Sequence, residues 1–393
     1  MPSTWASPHQ STIRSTAEAM SDPAVDEDPP HSHTHADPVD PRPHSRLTPS
    51  VRRDVLVDAA AFRFVTGRAS RPDPELLRRI DGEVSEALAL FEHEGWLHEP
   101  MTYHSDPPAP SDVRTRPGRS GNLRFTSLSW VDGYAPRPEE PGAERFLGHR
   151  VNRVARATLL EHRSEDRPWL ICLHGFGMGR PGLDLRAFRA LHLHRDLGLN
   201  LAFLTLPFHG RRNPGRATSP PMPSADVLDT VHGLSQAVWD VRQLLAYTRA
   251  RTQQPIGLMG LSLGGMVAAT VASIDEPHAV LLLVPAVDLP GLATDATRND
   301  QGSTAESDLL VRARPLFAPV SPLVLSPKVP VERRFIVAGT LDRFARPSSQ
   351  AVALWRHWDQ PDLHWYHGGH VSIFWAGNVQ AAVDAQLRSV GLA

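Results

Sequence analysis

Short apolar runs alternate with longer segments of helical periodicity along most of the chain beyond residue 150. The short runs are almost wholly apolar, which is typical of strands that are covered on both faces of a sheet. Strands are predicted at 169–173, 199–206, 255–261, 279–284, 334–338 and 363–366. Helices are predicted between them, at 183–196, 227–251, 263–274, 348–358 and 371–387. The alternation predicts an α/β fold, a three-layer α/β/α sandwich around a mostly parallel sheet of about eight strands.

The N-terminal part of the chain has a different pattern. Residues 1–50 are rich in Pro, Ser, His and Asp and have too few apolar side chains to offset the entropy of ordering, so we predict a disordered tail. Apolar positions at helical spacing predict an amphipathic helix over 72–97, with Pro74 in its first turn. A Pro-rich linker over 100–119 follows, and two more strands are predicted at 123–131 and 151–160. The predicted organisation is a tail over 1–50, a helical extension and linker over 51–119, and a main domain over 120–393.

The segment from 286 to 330 interrupts the alternation of strands and helices. It mixes Asp, Gly and Thr with later apolar residues, and prolines occur throughout it. A stretch of this length inside a compact domain is usually functional or has its own structure. We therefore predict a cap or lid over the functional site, the alternative being a surface excursion without a role in the chemistry.

Charge and composition exclude several kinds of partner. The net charge of −2 gives no overall basic field, so neither nucleic acid nor an acidic membrane surface is favoured. The single cysteine, Cys172, excludes an intramolecular disulfide and a cysteine-based zinc site. The histidines of the tail, His31, His33 and His35, could bind a metal weakly, but a solvated tail explains them better and we predict no metal site. No apolar stretch approaches the about 18 residues of a membrane span, so we expect a cytoplasmic protein.

The strongest chemical signal is the G-x-S-x-G motif Gly260-Leu261-Ser262-Leu263-Gly264. It follows a predicted strand and opens a predicted helix, which is the context of a nucleophile elbow. In such an elbow a sharp turn presents the serine hydroxyl at the edge of the sheet, and the flanking glycines relieve steric crowding. The motif therefore predicts Ser262 as a nucleophile.

A serine hydroxyl needs a histidine to take its proton and usually a carboxylate to orient that histidine. Asp342 follows the strand predicted at 334–338, and His370 precedes the last predicted helix, so serine, acid and histidine occur in the order of an α/β-hydrolase. We predict Ser262, Asp342 and His370 as the catalytic residues. The remaining alternatives are Asp288 for the acid, and His367 or His364 for the histidine.

Acyl transfer also needs hydrogen-bond donors that stabilise a developing oxyanion. The amide of Leu263 follows the nucleophile, and the glycine-rich turn after the strand at 169–173 offers Phe176, with Gly177 as second choice. That turn lacks the full spacing of a phosphate or dinucleotide site, so nucleotide binding is not favoured. Gly177, His209 and Leu261 are expected to bind substrate, although His209 could equally belong to a purely structural turn.

These motifs resemble the α/β-hydrolase superfamily. The matching residues are His174-Gly175-Phe176-Gly177, the elbow from Gly260 to Gly264, Asp342 and His370. Segments 206–212, 260–265 and 368–372 are similar to the dienelactone-hydrolase and acyl-esterase branch, including proteins like abhydrolase-domain-containing protein 18. The resemblance covers about residues 120 to 390. It implies an α/β-hydrolase fold to which the N-terminal helical extension and the cap-like insertion are additions.

The residues and the resemblance together predict a serine hydrolase that cleaves a small-molecule carboxylic ester through an acyl-enzyme, without a metal or an organic cofactor. Thioesterases, peptidases and acyltransferases use the same triad, so these activities remain alternatives. A hydrolase fold that serves as an inactive binding module is the alternative from another class.

Overall fold

A computed structural model describes residues 41–43, 48–66, 73–162, 165–215, 222–299 and 304–393. These residues belong to one unit, Asp40–Ala393. The histidine cluster at His31, His33 and His35, and most of the tail predicted over 1–50, lie outside the described residues. No helix in the described ranges is both long enough and apolar enough to cross a membrane.

The described residues form one nine-stranded sheet. Its strands are β1 Arg114–Ser120, β2 Leu123–Val131, β3 Val154–Leu160, β4 Trp169–Leu173, β5 Asn200–Leu204, β6 Ile256–Leu261, β7 Ala279–Leu283, β8 Arg334–Gly339 and β9 Asp362–Tyr366. They are arranged in the order β1-β2-β3-β5-β4-β6-β7-β8-β9. Strand β1 pairs with β2, β2 with β3 and β3 with β5, all antiparallel. The remaining pairs are parallel. The prediction of a mostly parallel sheet is confirmed.

Strand β1 is the strand that the apolar pattern did not indicate. Its sequence, Arg-Thr-Arg-Pro-Gly-Arg-Ser, lies in the segment predicted as a linker over 100–119, and its residues are exposed or half-buried. It pairs only with β2 at the edge of the sheet, where proline and charged residues are tolerated. None of its residues is buried, so this strand leaves no hydrophobic signature.

Helices cover both faces of the sheet. In the described ranges they are α1 Pro49–Thr66, α2 Pro74–His93, α3 Ala143–Leu147, α4 Pro181–Ala187, α5 Ala190–Arg195, α6 Val227–Arg249, α7 Leu263–Ile274, α8 Leu289–Asn299, α9 Thr304–Ala313, α10 Ala351–His357 and α11 Gly377–Ser389. Successive residues of the fully buried strand β4 belong to two separate core clusters, because side chains alternate between the faces of a strand. Helices α6 and α7 pack in one cluster, and α4, α5 and α11 pack in the other. The predicted three-layer sandwich is confirmed.

The helix predicted over 72–97 corresponds to α2. Asp73 caps it by accepting a hydrogen bond from the Leu76 amide at 2.7 Å, and Pro74 occupies its first turn. Its buried residues recur at helical spacing: Ile80, Val84, Ala87 and Phe91. This stripe packs in the same core cluster as α6 and α7, so the N-terminal extension shares the hydrophobic core of the sheet.

Two predicted helices have different boundaries in the structure. The helix predicted at 183–196 is divided into α4 and α5 by Arg189, whose φ of 52° is left-handed. The helix predicted at 371–387 begins as a 3-10 helix, Val371–Trp375, and continues as α11 after the extended residue Ala376. The 3-10 helix follows His370 directly, so this difference concerns the candidate site.

The segment at 286–330 contains helices α8 and α9 and a 3-10 helix, Arg314–Val320. Its second half packs on the main body, where the hydroxyl of Thr270 on α7 donates to the Val320 carbonyl at 3.0 Å and His104 hydrogen-bonds the Pro319 carbonyl at 2.7 Å. An ion pair joins Arg312 of α9 to Asp81 of α2. The second half is therefore part of the scaffold, and a lid function for the segment stays a prediction.

A buried ion cluster fixes the turn that follows β5. Arg212 is fully buried and donates to the carboxylates of Asp240 at 2.5 Å and Asp132 at 3.3 Å. It also donates to the carbonyls of Asn152 at 2.6 Å and Thr205 at 3.1 Å. Because both carboxylates are themselves buried, the guanidinium is needed to balance their charge.

Replacing Arg212 with alanine should strongly destabilise the protein. The substitution leaves two buried carboxylates without their cation, which typically costs about 3–5 kcal/mol. The matched control is Arg211→Ala, since Arg211 is exposed in the same 3-10 turn and should change the unfolding free energy by less than about 0.5 kcal/mol. Urea denaturation measures both values, and equal stabilities for the two variants would contradict the structural role of the cluster.

Candidate active site

Ser262 lies at the turn between β6 and α7. Its backbone has φ 53° and ψ −114°, a conformation that is strained for a residue with a side chain. Neighbouring segments hold it there: the Ser262 amide donates to the Leu283 carbonyl at 2.9 Å, and the Ala286 amide donates to the Ser262 carbonyl at 3.1 Å. The turn therefore has the geometry of a nucleophile elbow and leaves the serine side chain half-buried.

The glycines of the motif are required because the backbones approach closely. A Cβ atom on Gly264 would lie 2.6 Å from the His174 carbonyl oxygen, and one on Gly260 would lie 2.6 Å from the Cα of Gly265. Real Cβ atoms essentially never have such contacts. The start of α7 therefore packs directly on the end of β4, which brings Ser262 and the loop after β4 together.

The structure brings His370 and Asp342 to this serine. The Nε2 atom of His370 lies 2.9 Å from the Ser262 Oγ, and its Nδ1 atom lies 2.7 Å from the Asp342 Oδ2. The imidazole is 14% exposed and the carboxylate 2%, so the site is shielded but open on the side of the histidine. The three side chains form a continuous hydrogen-bonded chain from the serine through the histidine to the aspartate.

Asp342 uses its two oxygens for different purposes. Its Oδ1 accepts hydrogen bonds from the amides of Phe344 at 2.9 Å and Ala345 at 2.8 Å, which fix the carboxylate in its own loop. Its Oδ2 is directed to His370. A carboxylate at Nδ1 favours the tautomer with the proton on Nδ1, which leaves Nε2 free to accept the serine proton.

The alternatives considered from the sequence lie elsewhere. Asp288 accepts a hydrogen bond from the Gly291 amide at 3.0 Å and pairs with Arg314 at 2.7 Å, so it caps α8 and is not directed to His370. His364 lies within β9, with its ring 6.5 Å from that of Phe335. His367 is exposed. Of these residues, the structure brings only Asp342 and His370 to the serine.

The backbone amides of Leu263 and Phe176 are predicted to form an oxyanion site. Leu263 is the first residue of α7, where amides have no partner within the helix and the helix dipole favours negative charge. The loop that carries Phe176 packs against the nucleophile, since a Cβ atom on Gly175 would lie 3.4 Å from the Ser262 Cβ. Their predicted role as donors is therefore compatible with the geometry and stays a prediction.

His209 lies behind the loop that carries Phe176. Its ring is fully buried, with its centroid 5.8 Å from that of Phe176 and 5.1 Å from that of His174. His174 in turn accepts a hydrogen bond from the Leu206 amide at 3.0 Å, which joins the loops after β4 and β5. Burial lowers the pKa of His174 to about 4 and that of His209 to about 3, so both are neutral near pH 7. This packing is compatible with support of the loop by His209, and its predicted contact with substrate stays a prediction.

The other two predicted substrate-binding residues differ in exposure. Gly177 is exposed in the loop after β4, whereas Leu261 is 4% exposed. Leu261 forms part of the wall of a largely apolar pocket of about 40 Å³, together with Leu283, Ile373 and Phe374. The pocket thus adjoins the segments that carry Ser262 and His370, and the two binding roles stay predictions.

The electrostatic environment favours a charged histidine. Burial alone would lower the pKa of His370, but the nearby carboxylates of Asp342 and Asp58 more than offset it, and the pKa lies above its ordinary value of 6.5. Asp58, on α1, accepts hydrogen bonds from the amides of His370 at 2.5 Å and Val371 at 2.8 Å. Our sequence reasoning missed Asp58. The sequence feature that could have indicated this residue is the presence of an aspartate within the otherwise apolar run from Val55 to Phe62.

No metal centre is evident in the described ranges: no group of three or more His, Cys, Asp or Glu side chains could hold an ion.

The mostly parallel sheet, the strained serine between β6 and α7, and the order of serine, acid and histidine give this chain the α/β-hydrolase fold. Two proteins of Mycobacterium tuberculosis are similar to it over most of their length. They are Uncharacterized protein MT2702 of strain CDC 1551 / Oshkosh and Uncharacterized protein Rv2627c of strain ATCC 25618 / H37Rv, each 39% identical over 359 residues, 88% of this chain and 85% of the relative. The chain belongs to the family of these mycobacterial proteins.

Comparisons with family models and solved structures give less detail. No family model matches the chain. Acetyl xylan esterase 1 from Thermoanaerobacterium sp. has a TM-score of 0.47 and 14% identity, covering 88% of this chain and 99% of the esterase. Carboxyl esterase 2 from the fungus Tuber melanosporum has a TM-score of 0.43 and 17% identity, covering 73% of this chain and 89% of the fungal esterase. The similarity to abhydrolase-domain-containing protein 18 is not supported.

Gly264→Ala should destabilise the elbow. The added methyl group would overlap the carbonyls at the end of β4, and overpacking of this kind costs about 1–3 kcal/mol. Gly82→Ala is the matched control, because Gly82 is also helical, has open space around its Cβ position and should gain about 1 kcal/mol. Chemical denaturation should therefore give changes of opposite sign, and two stabilised variants would contradict the close approach at the elbow.

Proposed function

We propose that this protein is a serine hydrolase that cleaves small-molecule carboxylic esters through the triad Ser262, His370 and Asp342. The observation that carries the proposal is the pair of hydrogen bonds that His370 makes, at 2.9 Å to the serine hydroxyl and at 2.7 Å to the carboxylate. A serine is activated when a base lies within hydrogen-bond reach of its hydroxyl and a third group orients that base.

In the first half of the reaction, the Ser262 Oγ attacks the ester carbonyl carbon while the His370 Nε2 takes the hydroxyl proton. Asp342 stabilises the imidazolium that forms. The amides of Leu263 and Phe176 donate to the oxyanion of the tetrahedral intermediate. When the intermediate collapses, the bond to the leaving alcohol breaks, His370 returns its proton to the alcohol oxygen, and an acyl-enzyme on Ser262 remains.

In the second half, water attacks the acyl carbon and His370 takes its proton. The resulting intermediate releases the carboxylic acid, and the proton on His370 returns to the Ser262 oxygen. Each half transfers the acyl group once, so the enzyme is regenerated without a redox change. The same steps apply to a thioester or an amide, and the ester preference rests on the resemblance to the acyl-esterase branch, which is part of this proposal.

Ser262→Ala should abolish both covalent labelling and turnover. Wild-type protein should react with a fluorophosphonate at Ser262 and hydrolyse p-nitrophenyl esters, whereas the alanine variant has no nucleophile and should lose at least about 1,000-fold in kcat. The measurements are intact-mass spectrometry of the labelled protein and release of p-nitrophenolate from esters of increasing chain length.

Ser389→Ala is the control for this experiment, because Ser389 is an exposed serine at the end of α11 and should leave labelling unchanged. Folded wild-type protein that neither reacts with the fluorophosphonate nor hydrolyses any ester of the series would refute the proposal and favour an inactive binding module.

Asp342→Asn should reduce kcat by about ten-thousandfold, the size expected when a triad loses the carboxylate that sets the histidine tautomer. Asp288→Asn should retain near-wild-type kcat, because its carboxylate contacts Gly291 and Arg314 and not the histidine. Full activity in the first variant and its loss in the second would reverse the assignment of the acid.

The pH profile of the wild-type enzyme gives an independent check. Only neutral His370 can accept the serine proton, so kcat/KM should fall as the pH drops through the pKa of His370. Because that pKa is raised, the midpoint of the acid limb should lie above 6.5. A midpoint below this value would contradict the pairing with Asp342.

A further inference from the structure

Helix α1 precedes the sheet in the chain, yet it reaches the histidine of the candidate site. Its Asp58 is 0% exposed and accepts hydrogen bonds from two consecutive amides, those of His370 at 2.5 Å and Val371 at 2.8 Å. A buried carboxylate must be compensated by donors, and here the donors are the backbone of the histidine itself and of the first residue of the following 3-10 helix. The Asp58 carboxylate thus holds the main chain of His370, and the main chain determines the position of the imidazole ring.

The contact between α1 and the histidine loop is direct. A Cβ atom on Gly369 would overlap the Asp58 carboxylate, so only glycine fits at this position. Other groups hold the loop from further sides: the Tyr366 hydroxyl donates to the Gly369 carbonyl at 2.6 Å, and the Gly369 amide donates to the Ser372 hydroxyl at 2.9 Å. The backbone before His370 is therefore fixed on several sides, and Asp58 supplies the negative charge among these contacts.

We propose that Asp58 is a positioning residue for His370: its carboxylate fixes the backbone of the histidine so that the ring reaches both Ser262 and Asp342, and its charge stabilises the imidazolium. The inference rests on the proposed function for its effect on turnover. Displacing a reacting group by about 1 Å can cost about a hundredfold in rate, so a backbone clamp of this kind has measurable consequences.

The charges around His370 support the second part of the proposal. Asp342 faces the ring from the loop after β8, and Asp58 faces the backbone from α1. Two other described residues contact the ring and carry no charge: Ser262 through its hydroxyl, and Phe344, whose ring centroid lies 5.1 Å away. Both carboxylates raise the pKa of His370 against the effect of burial. Removing one of them should therefore make the imidazolium less stable.

Stability alone does not explain a carboxylate at this position. The pKa of Asp58 is raised, chiefly because burial disfavours its charged form, although the two amide hydrogen bonds act in the opposite direction. A carboxyl group whose pKa is higher in the folded than in the unfolded protein makes folding less favourable once it ionises. Ionisation of Asp58 therefore does not stabilise the folded protein.

The test is Asp58→Asn in the full-length protein. The amide side chain has nearly the same shape but offers one acceptor oxygen, so it can satisfy only one of the two backbone amides. We expect kcat for p-nitrophenyl acetate to fall by about tenfold to a hundredfold, with KM within about twofold of wild type. The pKa of His370, followed by NMR of ¹³C-labelled histidine and assigned with His370→Ala, should fall below the wild-type value.

Asp54→Asn is the matched control. Asp54 lies one turn earlier on α1 and accepts a hydrogen bond from the Trp375 indole at 3.3 Å, so it anchors the same helix without touching the backbone of His370. Its variant should leave kcat and the pKa of His370 unchanged. Asp58→Glu, which retains the charge and both acceptor oxygens, should keep the pKa of His370 close to wild type even if kcat falls in part.

Folded Asp58→Asn protein with unchanged kcat and an unchanged pKa of His370 would overturn the proposal and leave Asp58 a structural role. If Asp58→Asn does not fold, Gly369→Ala tests the proposal instead. Its methyl group forces the loop away from Asp58 while the carboxylate remains. A wild-type kcat in the folded Gly369→Ala variant would equally overturn the proposal. The NMR titration needs no turnover. A wild-type protein inactive on esters would refute the proposed function, while a drop in the pKa of His370 in Asp58→Asn would still support the stabilisation of the imidazolium by Asp58.

Discussion

At the crossing of β6 and α7, three backbone segments approach so closely that no side chain fits between them. Gly264 lies against the carbonyls at the end of β4, and Gly260 lies against the first turn of α7. At this crossing Ser262 has a positive φ of 53°, and the loop after β4 lies in contact with the serine. The candidate nucleophile and the candidate oxyanion donors are therefore consequences of one steric constraint, which the sheet imposes through the parallel pairing of β4 with β6.

Around this crossing, the remaining groups of the site are held by backbone hydrogen bonds and not by side-chain packing alone. Asp342 is fixed by two amides of its own loop, and His370 presents its amide to Asp58 on α1. The loop after β5 is fixed by the buried guanidinium of Arg212. Each of these anchors uses a charged group that is largely buried, so each costs desolvation energy that its hydrogen bonds must offset. Buried charged side chains therefore anchor the loops of the site.

The two helices of the N-terminal extension, α1 and α2, have different roles in the structure. Helix α2 adds an apolar stripe to the main core, and its ion pair with α9 joins it to the insertion. Helix α1 instead turns two buried aspartates, Asp54 and Asp58, towards the segment that follows the candidate histidine. A helix whose inward face is acidic has no hydrophobic periodicity, which is why the sequence indicated α2 and did not indicate α1. Strand β1 was missed for a different reason, because none of its residues is buried.

The sequence by itself determined the alternation of strands and helices, the fold class and the residues of the elbow, because burial on both faces of a parallel sheet leaves continuous apolar runs and because a tight strand-to-helix crossing admits only glycines. It also indicated Asp342 and His370, since catalytic groups of such sheets follow the carboxyl ends of strands. Only the tertiary structure paired His370 with Asp342 and not with Asp288, divided the last predicted helix at Ala376 and brought Asp58 to the histidine loop from more than 300 residues away in the chain. Contacts between distant segments depend on how loops close in space, and no local pattern in the sequence records that geometry.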